Sequence, residues 1–257
     1  MALDTILVVI DPTTDIQPAF ERGFDSARDT GATLHLYTCC DAGDDERVQP
    51  MIDDLSRRAR GEGVTVSSEI EHHADWASQA VSAAARLGAS MIFKNSTDHS
   101  AVDREKRRTS DWTLLRTSPC PVLMVKNFHD WGSRKVLAAI NPESTEAAHQ
   151  RLDNQIVSFT RQLASTYGSE AHFVTAFNDL NHPPNADEIA QQCGAEAQHI
   201  HLKKGPAPEV IRDVAGELDV DLIIVGTVGR DGIKGRVVGN TCEKLLDQTH
   251  SDVLVLN

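Results

Sequence analysis

The segment from Gly226 to Glu243 reads GTVGRDGIKGRVVGNTCE and contains five glycines between an apolar run, DLIIV, and a helix-like segment, KLLDQ. Glycine costs more backbone entropy on folding than any other residue, so five of them between a strand and a helix need a reason. Bare backbone amides at the start of a helix suit an anion, because their N–H groups are unpaired and the helix dipole is positive there. The spacing G-x2-G-x9-G-N-T therefore predicts a phosphate-binding loop, distinct from both G-x4-G-K-[ST] and G-x-G-x-x-G.

The other residues with chemical potential form weaker patterns. The sequence has no G-x-S-x-G, no H-E-x-x-H and no paired-carboxylate spacing, so we assign no catalytic residue. His199 and His201 alternate along a predicted strand and share a face, but no cysteine or carboxylate stands at ligand spacing beside them, so we expect no metal site. The basic residues within 104–108 indicate a solvated loop, with a side-chain anion cradle as the alternative.

The composition limits the class of protein. A chain of 257 residues is long enough for two domains of about 130 residues each. The formal net charge of −13 argues against nucleic acid and anionic membranes as partners, because both require a basic surface. Five cysteines without a C-x-x-C pair fit neither a disulfide framework nor a zinc site, and no apolar run reaches the ~20 residues of a membrane span. Since the opening MALDTILVVID has no leader pattern, we expect a soluble, cytoplasmic protein.

The chain contains an internal repeat. The first pair of matching segments aligns Asp11 with Asn141. A common ancestry of the halves explains this repeat, and we predict two domains, 1–129 and 134–257. The matching pairs are TILVVIDPTT (5–14) with KVLAAINPES (135–144), SMIFKNSTD (90–98) with DLIIVGTVG (221–229), and PVLMV (121–125) with DVLVL (252–256).

Within each half, short apolar runs alternate with longer helical patterns. Strands that are apolar nearly throughout are typical of a sheet covered on both faces, so the pattern predicts a doubly wound parallel α/β sheet, built twice. In the first helix of the second half, one buried stripe is predicted from Leu152, Ile156, Phe159 and Leu163. The predicted strands of that half are 135–141, 170–176, 198–203, 221–226 and 252–256, and its predicted helices are 145–166, 186–193, 207–217 and 240–248.

Both halves end in an apolar strand, which would be an aggregation risk as an exposed edge. We therefore expect the two final strands to shelter each other across a pseudo-twofold axis. Trp131, in the linker, is expected at the contact between the domains, and Trp112 is expected to pack in a core.

The glycine loop, followed by a small hydroxyl residue, resembles the nucleotide loop of the universal stress protein family. LVVIDP near the start, DWTLLR before PVLMVK, and GTVGRDGI with GNTCEKLL extend the resemblance to essentially the whole chain, and to the tandem two-domain members in particular. The resemblance implies two open five-stranded sheets of strand order 3-2-1-4-5, with a ligand between strands one and four. For ATP-binding members it implies phosphates on the glycine loop and a strand-one Asp at the nucleoside.

Carried over to this chain, the resemblance implies ATP or a related adenine nucleotide in the second half. Asn141 replaces the strand-one Asp, and Asn240 replaces the Ser or Thr after the last glycine, with Thr241 one residue late. The residues expected to bind the nucleotide are Asn141, Gly226, Thr227, Gly229, Gly239, Asn240 and Thr241.

The first half departs in the opposite way. Asp11 is present, but the three glycine positions are taken by Asn95, Asp98 and Arg108. This half therefore has the residue expected at the nucleoside and lacks the glycines expected at the phosphates.

Three functions are open at this point. The first is a non-catalytic stress-response protein that binds an adenine nucleotide in its C-terminal half. The second is a binding or scaffold protein that holds an apolar, lipid-like ligand or a protein partner without nucleotide. The third, a slow ATPase, ranks last because Asp231 is the only acidic residue within the loop. Self-association beyond the pairing of the two halves is also left open.

Overall fold

The computed structural model describes residues 3–96, 110–126, 131, 134–181, 183–227 and 240–257. The chain divides into two compact units, Ala2–Phe128 and His129–Asn257. Each unit alternates strands and helices along the chain, and every strand pair within a unit is parallel.

The N-terminal unit is a sheet in the order β3-β2-β1-β4-β5. Its strands are β1 (Thr5–Val9), β2 (Thr33–Cys40), β3 (Val66–His72), β4 (Met91–Asn95) and β5 (Val122–Val125). Its helices are α1 (Pro18–Thr30), α2 (Asp45–Gly61), α3 (Trp76–Leu87) and α4 (110–117).

The C-terminal unit has the corresponding order β10-β9-β6-β7-β8. Its strands are β6 (Lys135–Ala139), β7 (Glu170–Phe177), β8 (Ile200–Lys204), β9 (Leu222–Gly226) and β10 (Asp252–Leu256). Its helices are α5 (Ala147–Tyr167), α6 (Ala186–Cys193), α7 (Ala207–Leu218) and α8 (Asn240–Gln248). Both units therefore have the predicted strand order 3-2-1-4-5, and the prediction of two doubly wound parallel sheets is confirmed.

The central strands are buried along most of their length, which explains their nearly continuous apolar sequences. In β1 the residues from Ile6 to Val9 are buried, and in β9 those from Leu222 to Val225. Helices cover both faces of such a sheet, so alternation of polar and apolar residues is lost. The strands β3 and β8, at the far end of each order, keep polar and partly exposed side chains.

The buried stripe of α5 differs from the prediction. Leu152 and Ile156 are buried as expected, whereas Phe159 and Leu163 are only half-buried. The face toward the sheet includes Asp153, Val157 and Thr160 instead. Both sets of residues follow helical spacing, so the spacing does not distinguish them. Packing against the strands buries the set that contains the polar residues Asp153 and Thr160. The Thr160 hydroxyl donates to the Ile156 carbonyl oxygen at 2.7 Å, which satisfies it within the helix.

The start of β8 also differs from the prediction. Residues Ala197–His199 form a 3-10 turn, closed by a hydrogen bond from the His199 N–H to the Glu196 carbonyl oxygen at 2.9 Å. The strand consequently begins at Ile200, two residues later than the apolar pattern indicated.

Two tryptophans have defined surroundings. Trp112 is buried on α4, as predicted for a core residue. The indole of Trp131 donates a hydrogen bond to Asp252 Oδ2 at 3.0 Å, within the C-terminal unit. The expected role of Trp131 between the domains stays a prediction. Among the described residues, no helix combines the length and the apolar character needed to cross a membrane.

Candidate functional site

The predicted site lies at the carboxyl edge of the C-terminal sheet. From β6 the chain adds β7 and β8 on one side, and then β9 and β10 on the other. The order therefore reverses between β6 and β9, whose paired residues run from Val136 opposite Leu222 to Ala138 opposite Ile224. In open α/β sheets, ligands bind at such a reversal, outside the carboxyl ends of the strands. Asn141 follows β6 and Gly226 ends β9, so both belong to this edge.

Asn141 is held through its backbone. Its N–H donates to both carboxylate oxygens of Asp153, at 3.2 and 3.1 Å, and its carbonyl oxygen accepts from the Ser144 N–H at 3.0 Å. Asp153 is buried on α5, and burial raises the pKa of its carboxyl group. The side chain of Asn141 is exposed and makes no hydrogen bond to the described part of the chain. Its amide is therefore available to a ligand at this edge.

Gly226 has a close packing contact. A Cβ placed on Gly226 would lie 2.3 Å from Cδ2 and 2.6 Å from Cγ of Leu152, which is well inside van der Waals contact. The absence of a side chain at Gly226 thus lets α5 approach the end of β9. The sequence pattern predicts a phosphate contact for this glycine, and the packing against Leu152 is a further reason for a glycine at this position.

Thr227 is engaged with the last strand and the C-terminus. Its N–H donates to the Leu256 carbonyl oxygen at 2.8 Å, and its hydroxyl donates to Asn257 Oδ1 at 2.5 Å. These bonds continue the β9–β10 ladder one residue beyond the strand. Thr227 therefore fixes the position from which the glycine loop departs.

The rest of the predicted site is only partly within the described residues. Helix α8 begins at Asn240, and Thr241 in its first turn is half-buried beside buried Cys242. Gly229, Gly239 and Asp231 lie outside the described residues, as do the first-half loop residues Asp98, Arg104, Lys106, Arg107 and Arg108.

The same edge of the N-terminal unit is organised around Asn95, the residue aligned with Gly226. Asn95 is buried; its Oδ1 accepts from the Ala19 N–H at 2.7 Å, and its Nδ2 donates to Gln17 Oε1 at 3.1 Å. Asn95 therefore ties the end of β4 to the start of α1 by hydrogen bonds. The two units make the equivalent connection differently, since Gly226 makes it by apolar packing.

Asp11, the residue aligned with Asn141, forms hydrogen bonds within the turn that follows β1. Its Oδ1 accepts from the N–H of Thr13 at 2.9 Å and from the hydroxyl of Thr13 at 2.6 Å. Its backbone carbonyl accepts from Gln17 Nε2 at 2.6 Å. The carboxylate expected at a nucleoside thus serves to cap the turn after β1.

A cavity of about 180 Å³ opens at this N-terminal edge. The ammonium of Lys94 lies 2.9 Å from Asp111 Oδ1 and 5.2 Å from the centroid of the Trp76 ring, so its charge is balanced within the cavity wall. The sequence pattern did not predict that Lys94 lines a cavity, although Lys94 directly precedes Asn95 in the segment 90–98 that aligns with 221–229. The lining residues are Val9, Ile10, Asp11, Pro12, Thr13, Cys39, Trp76, Lys94, Asn95 and Asp111.

Two tandem doubly wound units, each with its strand order reversing between strands one and four, place the chain in the class of open-sheet α/β proteins, in which ligands bind at such a reversal. The sequence matches the universal stress protein family over residues 2–126 and 132–257, and the chain therefore belongs to that family of stress-response proteins.

Individual relatives support the tandem organisation. Universal stress protein E of Escherichia coli K12 is 28% identical, over 98% of this chain and 93% of the relative. A crystal structure of a functionally unknown protein from Pseudomonas aeruginosa PAO1 has a TM-score of 0.84 and 29% identity, covering 99% of this chain and 92% of that one. A universal stress protein from Archaeoglobus fulgidus DSM 4304, at 14% identity and a TM-score of 0.77, shares the fold over 99% of this chain and 96% of its own.

Proposed function

We propose that this protein is a non-catalytic, cytoplasmic stress-response protein that binds ATP or a related adenine nucleotide in its C-terminal domain, 134–257. The observation that carries the proposal is the position of Asn141 and Gly226 at the two neighbouring strand ends where the order of the C-terminal sheet reverses. The glycine pattern starts from this point and runs into α8, whose first turn is suited to an anion.

The contacts of Gly226 and Thr227 indicate that the predicted site residues have different roles. Gly226 and Thr227 set the starting point of the loop, because one packs on Leu152 and the other is bonded to β10 and the C-terminus. Phosphate binding then falls to the backbone of Gly229 and Gly239 and to the helix start at Asn240 and Thr241. Asn141 would contact the nucleoside through its exposed amide.

Isothermal titration calorimetry of the full chain with MgATP tests the proposal. Wild type is expected to bind one nucleotide, and Gly239→Val is expected to abolish binding because a branched side chain blocks approach to the backbone. Asn141→Asp should tighten binding about fivefold, since hydrogen bonds to a charged acceptor are worth ~1 kcal/mol more than neutral ones. Asp11→Asn, at the aligned position of the N-terminal unit, is the matched control and should leave affinity unchanged.

An absence of heat at millimolar nucleotide, with a correctly folded protein, would contradict nucleotide binding. Equal affinity in wild type and Gly239→Val would remove the glycine loop from the mechanism. Phosphate release that disappears in Asp231→Ala would contradict the non-catalytic part of the proposal.

A second candidate function has support in the N-terminal unit. The cavity of about 180 Å³ is lined by Val9, Ile10 and Trp76, and its one lysine is paired with Asp111. Such a wall suits an apolar, lipid-like ligand better than a phosphate. Quenching of tryptophan fluorescence by a fatty acid in wild type, and its loss in Trp76→Phe, would support this function. Unchanged fluorescence at saturating fatty acid would exclude it.

A further inference from the structure

Four side chains with metal-ligand chemistry meet at the start of β7 and β8 in the C-terminal unit. Glu170 and His172 are two residues apart on β7, so they project from the same face of the strand. The register places Val174 opposite His201, and the ring centroids of His172 and His199 lie 4.9 Å apart. A pair of residues on β7 and a pair at the turn and start of β8 therefore form one cluster, Glu170, His172, His199 and His201.

The distances within this cluster match those of ligands around one ion. Glu170 Oε1 lies 3.4 Å from His172 Nε2 and 3.0 Å from His199 Nε2. Metal–nitrogen and metal–oxygen bonds of about 2.0–2.2 Å, in a tetrahedral arrangement, separate neighbouring ligand atoms by roughly 3.3 Å. The three ligand atoms lie within 4.8 Å of one another, so a small side-chain adjustment would bring them to a common ion.

His172 supplies a second, independent observation. The residue is 4% exposed, and its Nε2 is buried without a hydrogen-bond partner among the described residues. A buried polar atom left without a partner is costly, and an ion or a water commonly accounts for it. Nε2 faces the Glu170 carboxylate at a distance where a bound cation would satisfy both groups.

His201 contacts the nitrogen of His172 that does not face Glu170. Its Nε2 lies 3.1 Å from Nδ1 of His172. When His172 Nδ1–H donates to His201 Nε2, the lone pair of His172 is on Nε2, on the side of Glu170 and His199. Histidines that bind metals usually donate their second ring N–H to another group, which fixes the tautomer and the ring orientation.

The charges around the cluster leave the carboxylate available. Among the described residues, Glu170 forms no ion pair with a lysine or arginine. Lys203, next to the cluster, is paired with Glu217 of α7 at 2.5 Å, and the Lys135 ammonium donates to the Leu218 carbonyl at 3.0 Å.

In the corresponding part of the N-terminal unit, an arginine already neutralises the carboxylate beside the histidine. There His35 Nε2 lies 3.4 Å from Glu69 Oε2, but the same carboxylate is bonded to Arg86 at 2.7 Å. His35 Nδ1 lies 2.8 Å from the Ser67 hydroxyl rather than from a second histidine. The C-terminal cluster lacks the arginine and has two further imidazoles.

We propose that Glu170, His172 and His199 bind one divalent transition-metal ion, with His201 as a positioning residue behind His172. Two imidazole nitrogens and one carboxylate suit Zn²⁺, Ni²⁺ or Cu²⁺, and not Mg²⁺ or Ca²⁺, which prefer all-oxygen sites. The ion would join β7 to the turn that starts β8, the last strand in the order of this unit, and thereby stabilise that edge. Sequence reasoning missed the site because Glu170 is 29 positions from His199 along the chain and only strand pairing brings them together.

Zinc binding to the full chain, stripped with EDTA and dialysed, tests the proposal. Competition with a chromophoric chelator should give one ion per chain at this site. Glu170→Gln and His199→Ala, both at partly exposed positions, should each weaken Zn²⁺ binding at least tenfold while the fold is kept. His201→Ala should weaken it about 10–100-fold, the usual effect of losing such a positioning group. Co²⁺ in place of Zn²⁺ should show the intense visible absorption of four-coordinate cobalt, lost in Glu170→Gln.

A matched control is available in the N-terminal unit, where Cys40, Asp45 and His72 also come within ligand distance of one another. His72→Ala should leave the affinity of the C-terminal site unchanged. Zinc binding that is lost in His72→Ala and kept in His199→Ala would overturn the proposal. A folded wild type that takes no Zn²⁺ from the chelator would overturn it as well.

Discussion

Gly226 and Leu152 are in such close contact that the space for a Cβ on the glycine is filled by the leucine side chain. Cδ2 of Leu152 would lie 2.3 Å from that Cβ. Leu152 is on the first helix of the C-terminal unit and Gly226 ends its fourth strand, so the contact joins the two elements that flank the predicted crevice. A glycine in a phosphate-loop pattern is thus explained, at this position, by packing of α5 on β9.

Replacing Gly226 with alanine should therefore destabilise the protein even without nucleotide. The added methyl group must displace Leu152, and overpacking of this kind typically costs about 1–3 kcal/mol. Urea unfolding of the ligand-free protein, followed by circular dichroism, measures the loss. In a Leu152→Ala background the same substitution should cost little, because the space is then empty.

Gly216→Ala is the matched control for this experiment. Gly216 lies in α7, and a Cβ there would meet nothing within 4 Å. Alanine in a helix is favoured over glycine, so this variant should gain about 0.4–1 kcal/mol. Equal stability of Gly226→Ala and wild type would show that Leu152 moves aside at no cost.

A second prediction concerns Asp153, whose carboxylate is buried and accepts the Asn141 N–H. Burial raises the pKa of Asp153 in the folded protein. The folded state therefore holds this proton to higher pH than the unfolded state does, and the contribution of Asp153 to stability falls as pH rises above about 4. We expect Asp153→Asn to gain stability relative to wild type between pH 4 and pH 7.

The measurement is the difference in unfolding free energy between Asp153→Asn and wild type, taken at several pH values across that range. Asparagine keeps one acceptor for the Asn141 N–H, so the comparison isolates the charge. A difference that moves in favour of wild type as pH rises would mean that the hydrogen bonds outweigh burial.

The cysteines give a third prediction. Burial raises the pKa of Cys193 to about 12 and the pKa of Cys120 to about 11. The thiolate is the reactive form, so neither thiol should react readily with iodoacetamide at pH 8 in the native protein. Mass spectrometry of labelled peptides should find both modified only after unfolding in urea. Rapid native labelling of Cys193, which is fully buried, would indicate local opening of α6.

The sequence contained enough information for the architecture and too little for the details of the site. The two parallel sheets follow from the repeat and from apolar runs, because these patterns are set by burial of whole elements, whereas the strand order follows from the family resemblance. The predicted bounds of β10 and α6 agree with the structure at both ends. Such features depend on local sequence and on a family resemblance that spans the whole chain.

Contacts between elements distant in the chain could not be predicted in the same way. The approach of Leu152 to Gly226 depends on how α5 lies across β9. The residue type at each of these two positions is compatible with more than one structural role. The cluster of Glu170 with His199 depends on the β7–β8 register. His199 also precedes its strand, in a 3-10 turn that the apolar pattern did not reveal.

The last prediction concerns acid sensitivity of the metal-free protein. Burial lowers the pKa of His35, His172 and His201 below the ordinary value of 6.5. The unfolded chain then takes up protons that the folded protein does not, so the stability present at neutral pH is lost as pH falls below about 6.5. Unfolding free energies in EDTA should decrease from pH 7 to pH 5.5, a window above the titration of ordinary carboxylates.

Variants distinguish the two units in this experiment. His35→Gln should reduce the part of the pH dependence of unfolding free energy that comes from the N-terminal unit, and His201→Gln the part that comes from the C-terminal unit. The other groups that act on the C-terminal cluster are Glu170, His199, Lys135, Lys203 and Glu217. Glutamine does not titrate, so a smaller slope in each variant identifies the histidine as the source. A wild-type protein that gains stability on acidification through this window would show that these imidazoles are charged in the folded state.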